Sequence, residues 1–536
     1  WTTNSLTETR NDDYNVTSQA IANYMGTFGS HNLTVMAGFE NYYMKSESLG
    51  AARDKYELTG YPYLNIGSED FQTNSGTGSE YTSNSVFGRV IYSYADRYLF
   101  QANVRHDGSS RFAKGYRWGT FPSFSAGWVA SEEKFMKNLK WDWLSFLKLR
   151  GSWGMLGNER IGSNYFPYIA LMSFGNSLFY MADGSVVSDK TARPAVLAVE
   201  DITWETTTST DLGLDVNFLN NRLQFHFDYY WKETKDMLLN IEIPYFMGYN
   251  NPSTNAGKMS THGYDIEVAW NDQIGDFKYG VNVNFSDFLS KIDYMNDGEQ
   301  ISGGKIKRAG VLFNEFYGYV CEGIYQTQEE VNNSARTSTT VTVGDLKYRD
   351  ISGPDGVPDG VISPEYDRVP LGNSLPRFQY GGSLNASYKG IDFSLAFQGI
   401  GKQNSYLSTS MVQPLRDNYG NVPAILEGKY WSPFNTTEEN LAAKYPRLSN
   451  VSKSNNYATS NFWMFNGSYF RLKNITLGYT LPKSWTQKAG INRARFYVSG
   501  SDLFCLSNFP SGWDPEMGTS DYPITTSLVM GIQVNF

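Results

Sequence analysis

Residues 345–372, DLKYRDISGPDGVPDGVISPEYDRVPLG, carry the residue types of this chain that most suggest metal chemistry. Asp350, Asp355, Asp359, Glu365 and Asp367 place five carboxylates within eighteen residues, and Gly356 and Gly360 allow sharp turns between them. Hard cations such as Ca2+ or Mg2+ are held by oxygens of this kind. The spacing departs from the EF-hand loop, because extra Gly and Pro residues intervene. An acidic, proline-stiffened surface loop is the other reading, and the residues alone leave both open.

Catalysis has no comparable support. The four histidines, His31, His106, His226 and His262, fall into no HExxH or paired-ligand spacing. No Walker A, GxSxG or GxGxxG signature occurs in a suitable context. Scattered carboxylate pairs could imitate the two acids of a glycosidase, but they fall on solvated faces and loops. The chain is therefore not expected to be an enzyme. Its net charge of −9 excludes a general nucleic-acid binder. Two cysteines, Cys321 and Cys505, permit at most one disulfide, and two thiols are the favoured reading.

The elements that must position these groups are strands. In LVMGIQVNF, residues 528–536, Leu528, Met530, Ile532, Val534 and Phe536 alternate with Val529, Gly531, Gln533 and Asn535. In RLQFHFDYYWKE, Leu223, Phe225, Phe227, Tyr229 and Trp231 share one face, while Arg222, Gln224, His226, Asp228 and Lys232 share the other. Period two means a strand with one apolar and one polar face. Fifteen such segments are expected, at 14–28, 31–46, 82–94, 97–107, 120–130, 145–155, 203–219, 222–234, 261–272, 276–288, 377–388, 391–401, 468–481, 493–503 and 524–536. Most run about 10–13 residues, against about 5–6 for a globular strand and about 9–11 for a tilted membrane-crossing strand. Aromatic residues are 16% of the chain, yet mean hydropathy is only −0.43. Alternation explains both values. No apolar run is long enough for a membrane helix.

Connections are short on one side (29–32, 95–96, 220–221, 273–276, 389–390) and long on the other (47–81, 156–202, 235–260, 289–376, 402–467, 504–523). Segment 131–139, SEEKFMKNL, is read as a small helix with a capping box at Ser131. The pattern predicts an all-β fold, an antiparallel transmembrane β-barrel with short periplasmic turns and long extracellular loops. A soluble β protein such as a propeller or sandwich is the alternative. Fifteen is odd, whereas bacterial single-chain barrels have even strand numbers. Residues 1–536 are accordingly expected to be the C-terminal portion of a larger barrel. The last strand is expected to end at the periplasmic face with Phe536 in the aromatic girdle.

Longer motifs sharpen this expectation. DGSSRFAKGYRWGTFPSFSAGWVASEEKFM (107–136), LSFLKLRGSWGMLGNERIGSNYFPY (144–168), YGYVCEGIYQ (317–326), PRFQYGGSLNASYKGIDFSLAFQG (376–399), SYFRLKNITLGYTLP (468–482) and RFYVSGSDLF (495–504) resemble, in order, the starch-utilisation-type (SusC/RagA-like) TonB-dependent outer-membrane transporters. The resemblance implies a barrel of 22 strands in the whole protein, of which about fifteen are here, with plug and N-terminal domains absent from this chain. It implies TonB-powered import of oligosaccharides with a SusD-like surface lipoprotein across the outer membrane of a Gram-negative bacterium. Oligopeptide import and a non-transporting glycan-binding β protein are the alternatives. Other implied partners are the TonB–ExbB–ExbD complex, through the absent N-terminal part, outer-membrane lipids, and a second transporter–lipoprotein pair forming a dimer. The loop residues 163–181, SNYFPYIALMSFGNSLFYM, offer rings that could stack on sugars and amides that could bond their hydroxyls.

Overall fold

The computed structural model describes residues 4–536 except 59, 140, 163, 164, 171, 297, 417–419, 519–521 and 523. Among these, fifteen strands form one antiparallel sheet in strict chain order. They are β1 (Ser5–Phe28), β2 (His31–Asp54), β3 (Gln72–Tyr94), β4 (Tyr98–Ser109), β5 (Trp118–Val129), β6 (Leu144–Asn158), β7 (Glu205–Phe218), β8 (Leu223–Asn240), β9 (Ser253–Ile274), β10 (Phe277–Met295), β11 (Arg377–Tyr388), β12 (Ile391–Lys402), β13 (Tyr469–Thr480), β14 (Arg493–Ser507) and β15 (Ser527–Asn535). Every alternating segment is one of these strands. Among the described residues, no helix is long and apolar enough to cross a membrane.

The short connections are tight turns whose residues take positive φ: Ala95 and Asp96, Asn220 and Asn221, and Lys389 and Gly390. Such turns match the right-handed twist of the strands they join. Several strands are longer than their alternation indicated. β1 and β2 have 24 residues each and β3 has 23, about twice what crossing a membrane needs. Much of the expected loop 47–81 is therefore strand, and only the stretch between Asp54 and Gln72 breaks the hairpin. The small helix is present at Lys134–Asn138, but its N-cap is Glu133 and no side chain caps it. The box expected at Ser131 does not form; a full capping box stands instead at Thr436 and Glu439.

The chain divides into two compact units. One comprises 1–132, 149–212 and 232–259, and the other 133–148, 213–231 and 260–536. In the first, Phe112, Phe121, Ile161, Ile202 and Trp204 form an aromatic cluster where the loops meet the strands. In the second, the insertions 289–376 and 402–467, expected as long loops, pack on each other. Leu346, Tyr348, Ile362, Met411, Leu426 and Trp463 belong to their shared core. Four short strands, Glu299–Ser302, Lys305–Arg308, Glu315–Tyr319 and Arg368–Asn373, form one small sheet beside it.

A buried polar knot holds these insertions together. The Asp345 carboxylate is fully buried and accepts from the Arg447 guanidinium at 2.7 and 3.3 Å, from Asn456 Nδ2 at 2.8 Å and from the Thr342 backbone N–H at 2.9 Å. Asn456 in turn accepts from the Leu346 N–H at 2.9 Å. A buried carboxylate tolerates removal from water only when its oxygens are satisfied this fully.

Candidate functional site

The polar faces of the strands gather the paired charges, amides and hydroxyls that make them the candidate site. In the first unit, Arg105 on β4 donates to Glu40 on β2 (3.0 Å), to Ser85 on β3 (2.7 Å) and to its neighbour Asp107 (2.6 Å). Amides and hydroxyls continue the pattern: Asn41 to Asn84 at 2.8 Å and Asn103 to Ser123 at 3.1 Å. A cavity of about 620 Å3 opens there, lined among others by Arg89, Gln101, Asn103, Arg105 and Ser123.

The second unit repeats the chemistry. Asp215 pairs with His226 at 3.0 Å, Arg222 with Asp272 at 3.3 Å and Asp287 with Arg377 at 2.5 Å. The expected polar face of β8 thus carries partnered groups. Asp392 on β12 and Arg495 on β14 meet across the intervening strand β13, Nε donating to Oδ1 at 2.9 Å. Gly478 on β13 makes this reach feasible: a β-carbon there would lie 2.5 Å from Arg495 Nη2 and 2.6 Å from Asp392 Oδ2. A cavity of about 700 Å3 is lined by Arg222, Asp272, Lys278, Asn385 and Asp392, among others.

At the long-loop ends of β12–β14 lies a cluster absent from the sequence reading. Arg471, 3% exposed, donates to both oxygens of Asp514 at 2.8 and 2.7 Å and pairs through Nε with Glu516 at 2.5 Å. Lys473 pairs with Asp502 at 2.8 Å, and Gln398 donates to Glu516 at 3.0 Å. Burial raises the Asp514 carboxyl, but the Arg471 hydrogen bonds outweigh it and hold it below the usual aspartate range. Nothing local in SYFRLKNITLGY or SGWDPEMG announces that these residues meet. Only the charge of Arg471 beside apolar Phe470 and Leu472 was a signal.

The five acidic candidates do not gather into one oxygen shell. Asp367 is buried and accepts backbone N–H bonds from Ile351 (2.7 Å), Ser352 (3.2 Å) and Ser363 (2.7 Å). Asp350 accepts from the Gly360 N–H at 2.6 Å, its other oxygen being enclosed without a hydrogen-bond donor. Asp359 accepts from the Val361 N–H at 3.0 Å, and Asp355 and Glu365 are exposed. Among the described residues no three His, Cys, Asp or Glu side chains are grouped as a metal requires. In this structure the carboxylates of Asp350, Asp359 and Asp367 shape the loop through backbone amides.

Of the aromatic stretch 163–181, residues 163, 164 and 171 lie outside the described residues. Met172–Tyr180 pairs with Val186–Pro194 as a separate hairpin, with Phe174, Leu178 and Tyr180 largely exposed. Cys321 and Cys505 are free thiols. Burial pushes the Cys321 thiol up to about 11, and the hydroxyls of Tyr325 and Tyr406 up to about 12.

Comparison with known proteins fits this geometry. A family model described as TonB dependent receptor-like, beta-barrel, matches residues 1–499. TonB-dependent receptor P3 of Formosa agariphila is 30% identical, over 97% of this chain and 52% of its own length. TonB-dependent receptor SusC of Bacteroides thetaiotaomicron is 28% identical, over 98% of this chain and 50% of its own. The chain thus spans about half the length of the curated relatives it matches. The solved RagAB peptide transporter superposes with a TM-score of 0.81 at 24% identity, covering 99% of this chain and 56% of that one. At that identity the likeness concerns the fold.

Proposed function

Because the chain belongs to the family of TonB-dependent receptor-like β-barrels, we propose that it is the barrel part of an outer-membrane importer of oligosaccharides. Energy comes from the TonB–ExbB–ExbD complex, and a SusD-like surface lipoprotein shares the substrate. The apolar strand faces meet lipid, the polar faces look inward, and the long loops face outside.

One observation carries the choice of substrate. The polar face is rich in amides and hydroxyls, and many of its charges are paired, as in Arg105 with Glu40 and Asp107, or Arg495 with Asp392. Such a face offers hydrogen bonds rather than strong net charge. That suits hydroxyl-rich, largely neutral sugars better than peptides with charged ends. The long-loop segments add exposed rings, such as Tyr180 and Tyr245, able to cover sugar faces.

The test is growth of the source organism, with the gene deleted and then restored, on single glycans and on defined peptides. Loss of growth on one glycan class, with peptide use intact, supports the reading. Loss of peptide use alone replaces it with an oligopeptide importer, the activity in the description of the RagAB structure.

A further inference from the structure

Residues 508–518, between β14 and the described part of the following loop, fold back against the polar face of the sheet. Asp514 is the only buried residue of this segment, and no side chain of it belongs to any of the apolar core clusters. Its hold on the strands is ionic: Asp514 and Glu516 on Arg471, and Glu516 on Gln398. At its start Phe509 meets Phe465 edge-on, centroids 5.1 Å apart. Inside the segment the Gly518 N–H closes a turn on the Asp514 carbonyl at 2.9 Å.

We propose that residues 508–518 are a strap latched by Arg471 across the polar face, and that its docking gates access to that face. An element held by charge-assisted bonds rather than by apolar burial can release without disturbing the strands beneath. Arg471 is a positioning residue: it acts by holding the strap. The groups facing Asp514 and Glu516 are Tyr469, Arg471 and Lys473 on β13, Asp502 and Cys505 on β14, and Gln398 on β12. Arg471 is the cation with the most contacts to the strap. Protonating Asp514 therefore releases it. Because the Asp514 carboxyl is held low, docking persists through neutral pH and fails only as pH drops below the ordinary aspartate value, about 3.9.

Cys505 is a native reporter, since it pairs in register with Arg471. The experiment uses the full receptor in membranes with Cys321→Ser and any cysteine outside residues 1–536 replaced by Ser, so that maleimide reads Cys505, alongside hydrogen–deuterium exchange. Arg471→Met, and separately Asp514→Asn with Glu516→Gln, are expected to speed labelling of Cys505 by about tenfold or more. Exchange should rise in 508–518 and stay unchanged in β13 and β14. Arg471→Lys should fall between. Unchanged labelling in both variants overturns the proposal. So does exchange rising equally in β13 and β14, which marks Arg471 as a mere fold support. No substrate enters the experiment, so its failure leaves the import reading standing, and failure of the growth test leaves the strap standing.

Discussion

The ring of Tyr497 on β14 fills the space that a β-carbon on Gly531 of β15 would need, the two residues standing opposite each other in register. Glycine here lets an aromatic ring lie across the neighbouring strand and cover a backbone that would otherwise be bare. Gly531→Val should force the ring away and cost about 1–3 kcal/mol. Tyr497→Ala should remove most of that penalty. Urea unfolding of the four members of this cycle in lipid vesicles measures the coupling. A penalty that persists without the tyrosine ring refutes the contact.

The two faces of β8 should respond differently to charge. Phe227→Arg puts a guanidinium against lipid near mid-membrane and should cost about 2–4 kcal/mol. Gln224→Arg joins a face that already carries Arg222 and His226, and should cost far less. Equal folding yields of the two variants in vesicles would reverse the faces.

Removing Arg447 should open the packed insertions without touching the strands. Arg447→Leu leaves Asp345 buried and short of its cation, a loss of about 3–5 kcal/mol. Proteolysis should then cut within 299–376 and 403–467 while the strands resist. Asp345→Asn with Arg447→Leu should recover part of the loss. Cleavage patterns identical to wild type would mean the knot contributes nothing.

The same module should loosen in alkali. Cys321, Tyr325 and Tyr406 ionise at about 11, 12 and 12 when folded, against about 8.5 for a free thiol and about 10 for a free tyrosine. Between these limits the unfolded module releases protons that the folded one keeps. Its stability is therefore whole below about pH 8.5 and falls as pH rises towards 12. Protease sensitivity of 299–376 and 403–467 across that range reads this directly. A flat profile to pH 11 would contradict it.

The strands were legible because each carries its own evidence: Leu223 to Trp231 alternate without help from any other segment. The turns were legible for the same reason, as Asn220–Asn221 and Lys389–Gly390 suit positive φ locally. The overlong β1–β3 hairpins were not, because residues such as Gly76, Thr77 and Gly78 have no apolar face and are strand only through their partners on β2. The site clusters failed for a stronger version of that reason. Arg471 and Asp514 are 43 residues apart, and Asp345 and Arg447 are 102 apart. A local window sees an arginine in a strand and an aspartate in a loop, never the pair. The acidic run 350–367 left a cation site and an acidic surface loop both open, because proximity in sequence does not say where each carboxylate turns; backbone amides take up several of the oxygens.

The most direct measurement is uptake by intact cells of the radiolabelled oligosaccharide that the growth panel selects. Rates are compared with the gene present, with it deleted, and with the proton-motive force collapsed. The account predicts accumulation only when gene and energy are both present, and no competition from peptides. Accumulation that survives energy collapse, or that peptides abolish, would contradict it.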